Sequence, residues 1–387
     1  MIYRSQVTEL LLKDPPEIPD ERLLRLLATY MWSSGRIAEA LACIRLLEQR
    51  EELTLAKLNL RGYWQLYVGD ATSARKTFGR ALAQDTKDQR SRLGYAYALF
   101  YLQDYSFAAG IFQELADEGG SFRSPPIMAA ACRALAVGQN PPEVQIAPLP
   151  GLPPEVAEIM EIKLLYGTDT AIEKARSRMA GIESKADRLP LMRLLIDLKL
   201  EARQEQEVIE LIEDGFKSYP NDGALWLFKG IALRRLSERV SSHECFSKAV
   251  EFVPLDPRAW GGFGAGWSEL KNFKNAVKAY RIAIFLDESN PNFWGDLGIA
   301  EFSQENYLEA MTAISRAIEL GMRNFTNYFN LGMCSVYLGE SEFAIANWRR
   351  AITVEPNHAR VEEVRKLIRD AGGPDTDDRF VFGEIDE

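Results

Sequence analysis

The run Ala259–Trp267, "AWGGFGAGW", places Gly261, Gly262, Gly264 and Gly266 within nine residues, the density expected of a loop that wraps phosphate. A dinucleotide fingerprint requires G-x-G-x-x-G after a strand, and a P-loop requires a closing Lys and Ser/Thr at the start of a helix. Here Trp267 stands where the last glycine of the first pattern belongs, and the Lys-Ser/Thr pair of the second is missing. His243 and Cys245 make an H-x-C pair, yet no second pair of ligands lies at metal-binding spacing. "SSHECF" around them lacks the glycines of a nucleophile elbow. The remaining histidine is His358, so acid-base work would fall to carboxylates or lysines, and no paired set stands out. The sequence predicts no catalytic constellation, no cofactor and no metal.

The elements that hold these residues are set by a period. Segments 223–256, 257–290, 291–324 and 325–358 are each 34 residues long and follow without a gap. Trp226, Trp260, Trp294 and Tyr328 occupy position 4, and Gly230, Gly264, Gly298 and Gly332 occupy position 8. Ser242, Ala276, Ala310 and Ala344 hold position 20; Phe246, Tyr280, Ile314 and Trp348 hold position 24; Ala249, Ala283, Ala317 and Ala351 hold position 27. Pro220, Pro254 and Pro356 recur at position 32. Positions 4, 7, 8 and 11 share one face of a first helix, and positions 20, 24 and 27 share one face of a second. The small residues let the helix axes approach, and the aromatic fills the space beside them. In this register "AWGGFGAGW" is a first helix. Four glycines cost a helix about 3 to 4 kcal/mol against alanine, so packing or function must offset them.

This set, W-x2-L/F/K-G, A-x3-F/Y-x2-A and a proline at position 32, resembles the tetratricopeptide repeat. The resemblance implies an all-α, right-handed α-solenoid of stacked 34-residue helix-turn-helix repeats, about nine pairs in all, closed by a C-terminal capping helix. Weaker copies lie upstream at 21–54, 55–88 and 89–122, with Ala28, Gly62 and Ala96 at position 8 and Phe78 and Phe112 at position 24. Residues 189–222 keep the phase of the later array, and 153–188 reads as two helices with Ile172 and Met179 in place of small residues.

The expected organisation is an N-terminal arm at 1–20, a degenerate array at 21–122, and a proline-rich elbow at 123–154 containing one helix. A second array at 155–358, a cap at 359–372 and an acidic, disordered tail at 373–387 follow. The elbow contains Pro125-Pro126, Pro141-Pro142 and Pro153-Pro154. The tail's "FVF" is a candidate to dock in the array's own groove.

Bulk properties limit the partners. A net charge of −10 and a pI near 5.1 disfavour nucleic acid, whose binding rests on clustered Lys and Arg. Cys43, Cys132, Cys245 and Cys334 have neither the density of a disulfide framework nor the spacing of a zinc site, which fits a reducing, cytoplasmic setting. Eighteen apolar residues never run together, so direct membrane insertion is not expected.

Proteins are therefore the expected partners, in no particular oligomeric state. In the family, positions 2, 5, 9, 12 and 13 of the first helix line the concave groove. The resemblance carries this to Leu227, Ile231, Arg234, Arg235, Arg258, Gly261, Ala265, Asn292, Gly295, Ile299, Phe302, Phe329, Met333 and Tyr337. The Lys and Asn with which relatives grip a chaperone's terminal carboxylate are absent there. Gly261 and Gly295 suggest bare backbone open to a partner, and an apolar groove suits an extended peptide or amphipathic helix. Trp32, Tyr63, Tyr67, Tyr97, Phe100 and Tyr101 form an aromatic stripe in the first array, a second candidate surface. The leading expectation is a non-enzymatic scaffold or adaptor. A chaperone for an aggregation-prone client, as in bacterial secretion, is the alternative, and a regulatory subunit of an enzyme is the distant third.

Overall fold

A computed structural model describes residues 2–13, 16–33, 36–49, 54–67, 70–118, 125–137, 155–156, 158–159, 162–163 and 167–373. Most of the proline-rich segment and all of the tail after 373 lie outside the described residues, and so do the elbow and "FVF" expectations that rest on them. Among the described residues every regular element is a helix. Contacts group the chain into two compact units, Met1–Gly262 and Phe263–Glu387.

The first unit opens with α1 (Ile2–Leu11) and the hairpins α2 (Glu21–Ser33) with α3 (Ile37–Glu48), α4 (Leu55–Tyr67) with α5 (Ala71–Gln84), and α6 (Gln89–Tyr101) with α7 (Tyr105–Asp117). Then come α8 (Pro125–Ala136), α9 (Thr168–Ala180), α10 (Lys185–Glu201), α11 (Glu205–Ser218), α12 (Gly223–Arg235) and α13 (Arg239–Phe252). The unit boundary falls inside α14 (Pro257–Glu269). The second unit continues with α15 (Phe273–Leu286), α16 (Pro291–Phe302), α17 (Tyr307–Glu319), α18 (Phe325–Tyr337), α19 (Ser341–Val354) and α20 (Val361–Asp370). Within each unit successive helices pack on one another in hairpins, the α-solenoid architecture.

One turn recurs at the tip of eight hairpins. The backbone N–H at position 16 donates to the carbonyl at position 11: Arg36 to Met31, Asp70 to Gln65, Asp104 to Leu99 and Gln204 to Lys199. Glu238 to Leu233, Asn272 to Trp267, Asn306 to Glu301 and Glu340 to Ser335 complete the series. This is the six-to-one bond of a Schellman cap, and it needs a left-handed residue just before the donor. Position 15 supplies one in Gln103, Arg203, Ser237, Lys271, Glu305 and Gly339, all with φ between 59° and 80°. Only one of the six is glycine, so the other five accept a strained backbone, costing about 1 kcal/mol each, to keep the hairpin geometry.

The ends of first helices are fixed by a second recurrence. The indole N–H of Trp226 donates to the Pro220 carbonyl at 3.2 Å, that of Trp260 to Pro254 at 2.8 Å and that of Trp294 to Glu288 at 2.8 Å. Each bond ties position 4 to position 32 of the preceding repeat, so the tryptophan is chosen for its polar edge as well as its bulk.

Glycines at the helix crossings make slots for the position-24 side chains. A Cβ on Gly230 would lie 3.0 Å from the Phe246 ring, and one on Gly262 would lie 2.2 Å from the same ring. Phe78 is held in the same way, 2.6 Å from a Cβ at Gly62 and 2.2 Å from one at Gly94. Gly264 faces Tyr280 at 2.9 Å, Gly298 faces Ile314 at 2.5 Å and Gly332 faces Trp348 at 2.4 Å. The glycines that looked like a phosphate loop thus include two, Gly262 and Gly264, that serve helix packing.

Outside the regular phase, α10 starts at Lys185, a turn earlier than position 1 of its repeat, with Ser184 capping it and Pro190 inside it. In α9, Ala171 and Ala175 are fully buried and supply the small residues that Ile172 and Met179 do not. Met128, Ala129, Ala131 and Cys132 of α8 join Phe112 and Leu115 of α7 in one core. Among the described residues, Val361, Val364 and Ile368 of the last helix, α20, close the core around Phe325 and Trp348, and Gly372 follows it at φ +84°.

Candidate functional site

The first-helix faces that the repeat register nominates differ between the two units. In the first unit they are engaged internally. Leu227 is completely buried, and Ile231 packs against the core that contains Leu225 and Phe228. Arg235 is exposed but donates to the Leu200 carbonyl and to Glu205, while Arg234 is exposed. Arg258 pairs with Asp256 at 2.8 Å, approaches Asp197 at 4.0 Å and lies over the Phe228 ring at 5.7 Å. Gly261 is buried.

A polar interlock stands beside this face. Arg36, at the tip of the α2–α3 hairpin, donates to both carboxylate oxygens of Glu39 and to the Phe252 carbonyl at the end of α13. Glu39 is almost wholly buried, and that burial pushes its carboxyl up to about 7 despite the neighbouring Arg36. Asp256 and Arg193 also act on it electrostatically, so residues more than 200 apart in sequence share one charged cluster.

In the second unit the face opens. Ala265 and Gly295 are buried, and a Cβ on Gly295 would meet the Met322 sulfur at 3.3 Å and Asn327 at 3.7 Å. Phe329 is covered by the Arg360 guanidinium at 4.0 Å. Asn292 is exposed and donates to the Asn290 cap, and Met333 is half-buried. Ile299 is 42% exposed and Tyr337 55% exposed. The Tyr337 ring stacks on Tyr307 with centroids 4.3 Å apart and planes at 4°, and Phe302 meets both rings edge-on at 5.7 and 5.4 Å. Val336 and Leu338 extend the exposed apolar surface beside them.

Several nominated residues are therefore core and offer no contact surface: Leu227, Gly261, Ala265, Gly295 and Phe329. At position 5 the glycine at 295 leaves room for Met322 of its own repeat and Asn327 of the next. In the aromatic stripe of the first array, two of the six residues, Tyr97 and Phe100, are likewise core. Tyr97 and Phe100 are 5% exposed, Tyr97 packing edge-on against Phe112 at 5.2 Å and Phe100 against Tyr101 and Tyr105 at 5.6 Å each. Tyr63 stands edge-on to Phe78 at 5.0 Å and donates its hydroxyl to the Arg90 carbonyl. Tyr101 is half-buried, and the side chains of Trp32 and Tyr67 lie outside those described. Tyr307, Val336 and Leu338 stand outside that set, although Val336 occupies position 12 of its repeat and the register names that position; Leu338 follows at position 14 and Tyr307 lies at position 17 of the repeat before.

The motifs that could do chemistry sit apart. Cys245 is buried in α13, which pushes its thiol up to about 11, and His243 lies two residues away on the same helix with its imidazole held below the usual range by desolvation. No group of three or more metal-ligating side chains occurs among the described residues. No helix among them is long and apolar enough to cross a membrane.

Comparison with known proteins agrees with the repeat register. The family model described as Tetratricopeptide repeat matches residues 59–121 and 269–324. No curated protein matches the chain. Among solved structures, pilF of Pseudomonas aeruginosa is 12% identical over 55% of this chain and 95% of its own, with a TM-score of 0.49. MamA of Desulfovibrio magneticus RS-1 is 19% identical over 44% of this chain and 96% of its own, with a TM-score of 0.39. YrrB, a TPR protein with an unusual peptide-binding site, is 15% identical over 51% of this chain and 97% of its own, with a TM-score of 0.40. At these scores no functional argument passes from them to this chain. The matched segments, the bond shared by eight hairpin tips and the continuous 34-residue register of 189–358 support assigning these repeats to the tetratricopeptide-repeat family.

Proposed function

We propose that this protein is a non-enzymatic scaffold that holds segments of partner proteins against the first-helix face of its second unit. Tetratricopeptide repeats serve protein interaction in general, and the coarse assignment follows from the family. The finer reading rests on one observation: Ile299, Val336 and Tyr337 are large apolar side chains left exposed on first helices whose other faces are packed. An apolar strip with an aromatic anchor is the surface that peptide-recognition grooves use, the aromatic supplying most of the binding energy. Capture of a defined partner from source lysate should survive Phe343→Ala, on an exposed second-helix face, and be lost with Ile299→Asp or Tyr337→Ala at unchanged helicity. Equal capture by all three folded variants would remove the basis for this reading.

A further inference from the structure

The charge around the exposed strip narrows the kind of partner. From Pro291 to Ser315 and from Asn324 to Trp348 the chain contains six carboxylates, Asp296, Glu301, Glu305, Glu309, Glu340 and Glu342, and no Lys or Arg. One of the six is neutralised inside: Glu301 is 2% exposed, pairs with Arg281 at 2.8 Å and accepts from Asn306. Glu305 and Glu340 stand at the two hairpin tips that border the aromatic cluster, exposed and in no ion pair among the described residues. Glu305 lies near enough to Tyr307 that, after the ring's own desolvation, its charge is the next largest influence holding the phenol proton on.

With one face on Tyr307 and an edge on Phe302, Tyr337 still exposes more than half of its surface. An exposed π-face bordered by unpaired carboxylates is the arrangement that favours a cation, because the ring quadrupole and the carboxylates attract the same charge. The protein already uses this contact internally, with the Arg360 guanidinium 4.0 Å from the Phe329 ring centroid one helix pair away. The aliphatic side chains Ile299, Val336 and Leu338 alongside give an apolar neighbour of that cation a place to lie.

We infer that the strip formed by Ile299, Phe302, Val336 and Tyr337, with Glu305 and Glu340 at its rim, receives a basic segment of a partner protein: an arginine or lysine side chain within a few residues of an aliphatic one. This rests on the scaffold reading above and adds the charge of the ligand. An acidic segment would meet like charge on both rims, while the arginines of these hairpins, Arg316, Arg349 and Arg350, lie in the later turns of the second helices, away from the tips that carry Glu305 and Glu340.

The test uses the full chain and a phage-displayed library of random dodecapeptides, panned on the protein and counter-selected on Tyr337→Ala. Peptides enriched in Arg or Lys beside Leu, Ile or Val are expected. For these, Tyr337→Ala should weaken binding roughly tenfold, as loss of an aromatic anchor does. Glu305→Gln with Glu340→Gln should weaken it roughly three- to tenfold and flatten its dependence on salt. The glutamine at 305 keeps the left-handed turn, since Gln103 occupies the same repeat position at φ 63°. Neutral or acidic peptides that depend on Tyr337 would overturn the charge assignment and leave the scaffold reading standing. So would basic peptides indifferent to the glutamine pair. Failure to enrich any peptide that depends on Tyr337 or Ile299 would overturn both.

Discussion

Replacing Gly262 with alanine separates packing from helix propensity. On propensity alone the change should stabilise by about 1 kcal/mol, because glycine is that much worse than alanine inside a helix. The structure reverses the sign. The new Cβ would lie 2.2, 2.4 and 2.6 Å from three atoms of the Phe246 ring, where ordinary contact begins near 3.4 Å, so ring or helix must move by more than 1 Å. Retreat is blocked, since the ring is 1% exposed and its other side faces Gly230 across a gap that would put a Cβ at 3.0 Å. Overpacking of this kind costs about 1 to 3 kcal/mol and sometimes more. With no free volume to absorb it, the upper end applies, and a net loss of about 2 kcal/mol is expected after the propensity gain. Gly79→Ala and Gly110→Ala are the controls: both sit in helices with nothing within 4 Å of the added carbon, and each should stabilise by about 1 kcal/mol. A repeat array does not unfold as one body, so the readout is hydrogen exchange of amides in 239–269, supported by denaturation midpoints. In a Phe246→Leu background the penalty for Gly262→Ala should shrink by at least 1 kcal/mol, the sign of direct coupling. Stabilisation by Gly262→Ala equal to that of Gly79→Ala would refute the slot.

The remaining predictions follow from single contacts. Trp260→Phe removes the donor to the buried Pro254 carbonyl and should cost about 1 to 3 kcal/mol, whereas Trp294→Phe, whose bond to Glu288 is exposed, should cost less than about 1 kcal/mol in parallel denaturation. Asp88 caps α6 by accepting from the Ser91 amide at 2.8 Å, so Asp88→Ala should cost about 1 kcal/mol and speed exchange in the first turn of that helix. Burial works to raise the Asp88 carboxyl, but bonds from Ser91 and Asn59 outweigh it and hold it below its ordinary value. Its stabilising contribution is therefore present above the unfolded pKa and lost as pH falls through the folded one. Glu39 has the opposite sign: with its folded value raised to about 7, its contribution is fully present below about 4.5 and lost as pH rises to about 7. A stability slope over that window should flatten in Glu39→Gln. An unchanged slope would show that Glu39 titrates normally.

The repeat was legible because its residues answer to packing at fixed intervals. Trp226, Trp260 and Trp294, with Gly230, Gly264 and Gly298, report hairpin contacts that no other spacing would satisfy. The hairpin tip was not legible, since Gln103, Arg203, Ser237, Lys271 and Glu305 take a left-handed backbone that their side chains disfavour, imposed by the two helices they join. The slot glycines Gly94 and Gly262 carry a readable signal, each following its phenylalanine, Phe78 or Phe246, by sixteen residues. The candidate site was the least legible part. Repeat register states which face of a helix a residue occupies, while its exposure depends on the neighbouring hairpin. That is why Tyr97 and Phe100 are core, why Gly295 accommodates Met322, and why Tyr337 remains open.

The most direct test of the docking face is site-specific photocrosslinking in source cells. A benzophenone side chain placed at residue 299 or 337 should capture the same protein partner, and one placed at the exposed second-helix residues 308 or 343 should capture none of it. Crosslinks to that partner from 308 and 343, with none from 299 and 337, would contradict the account.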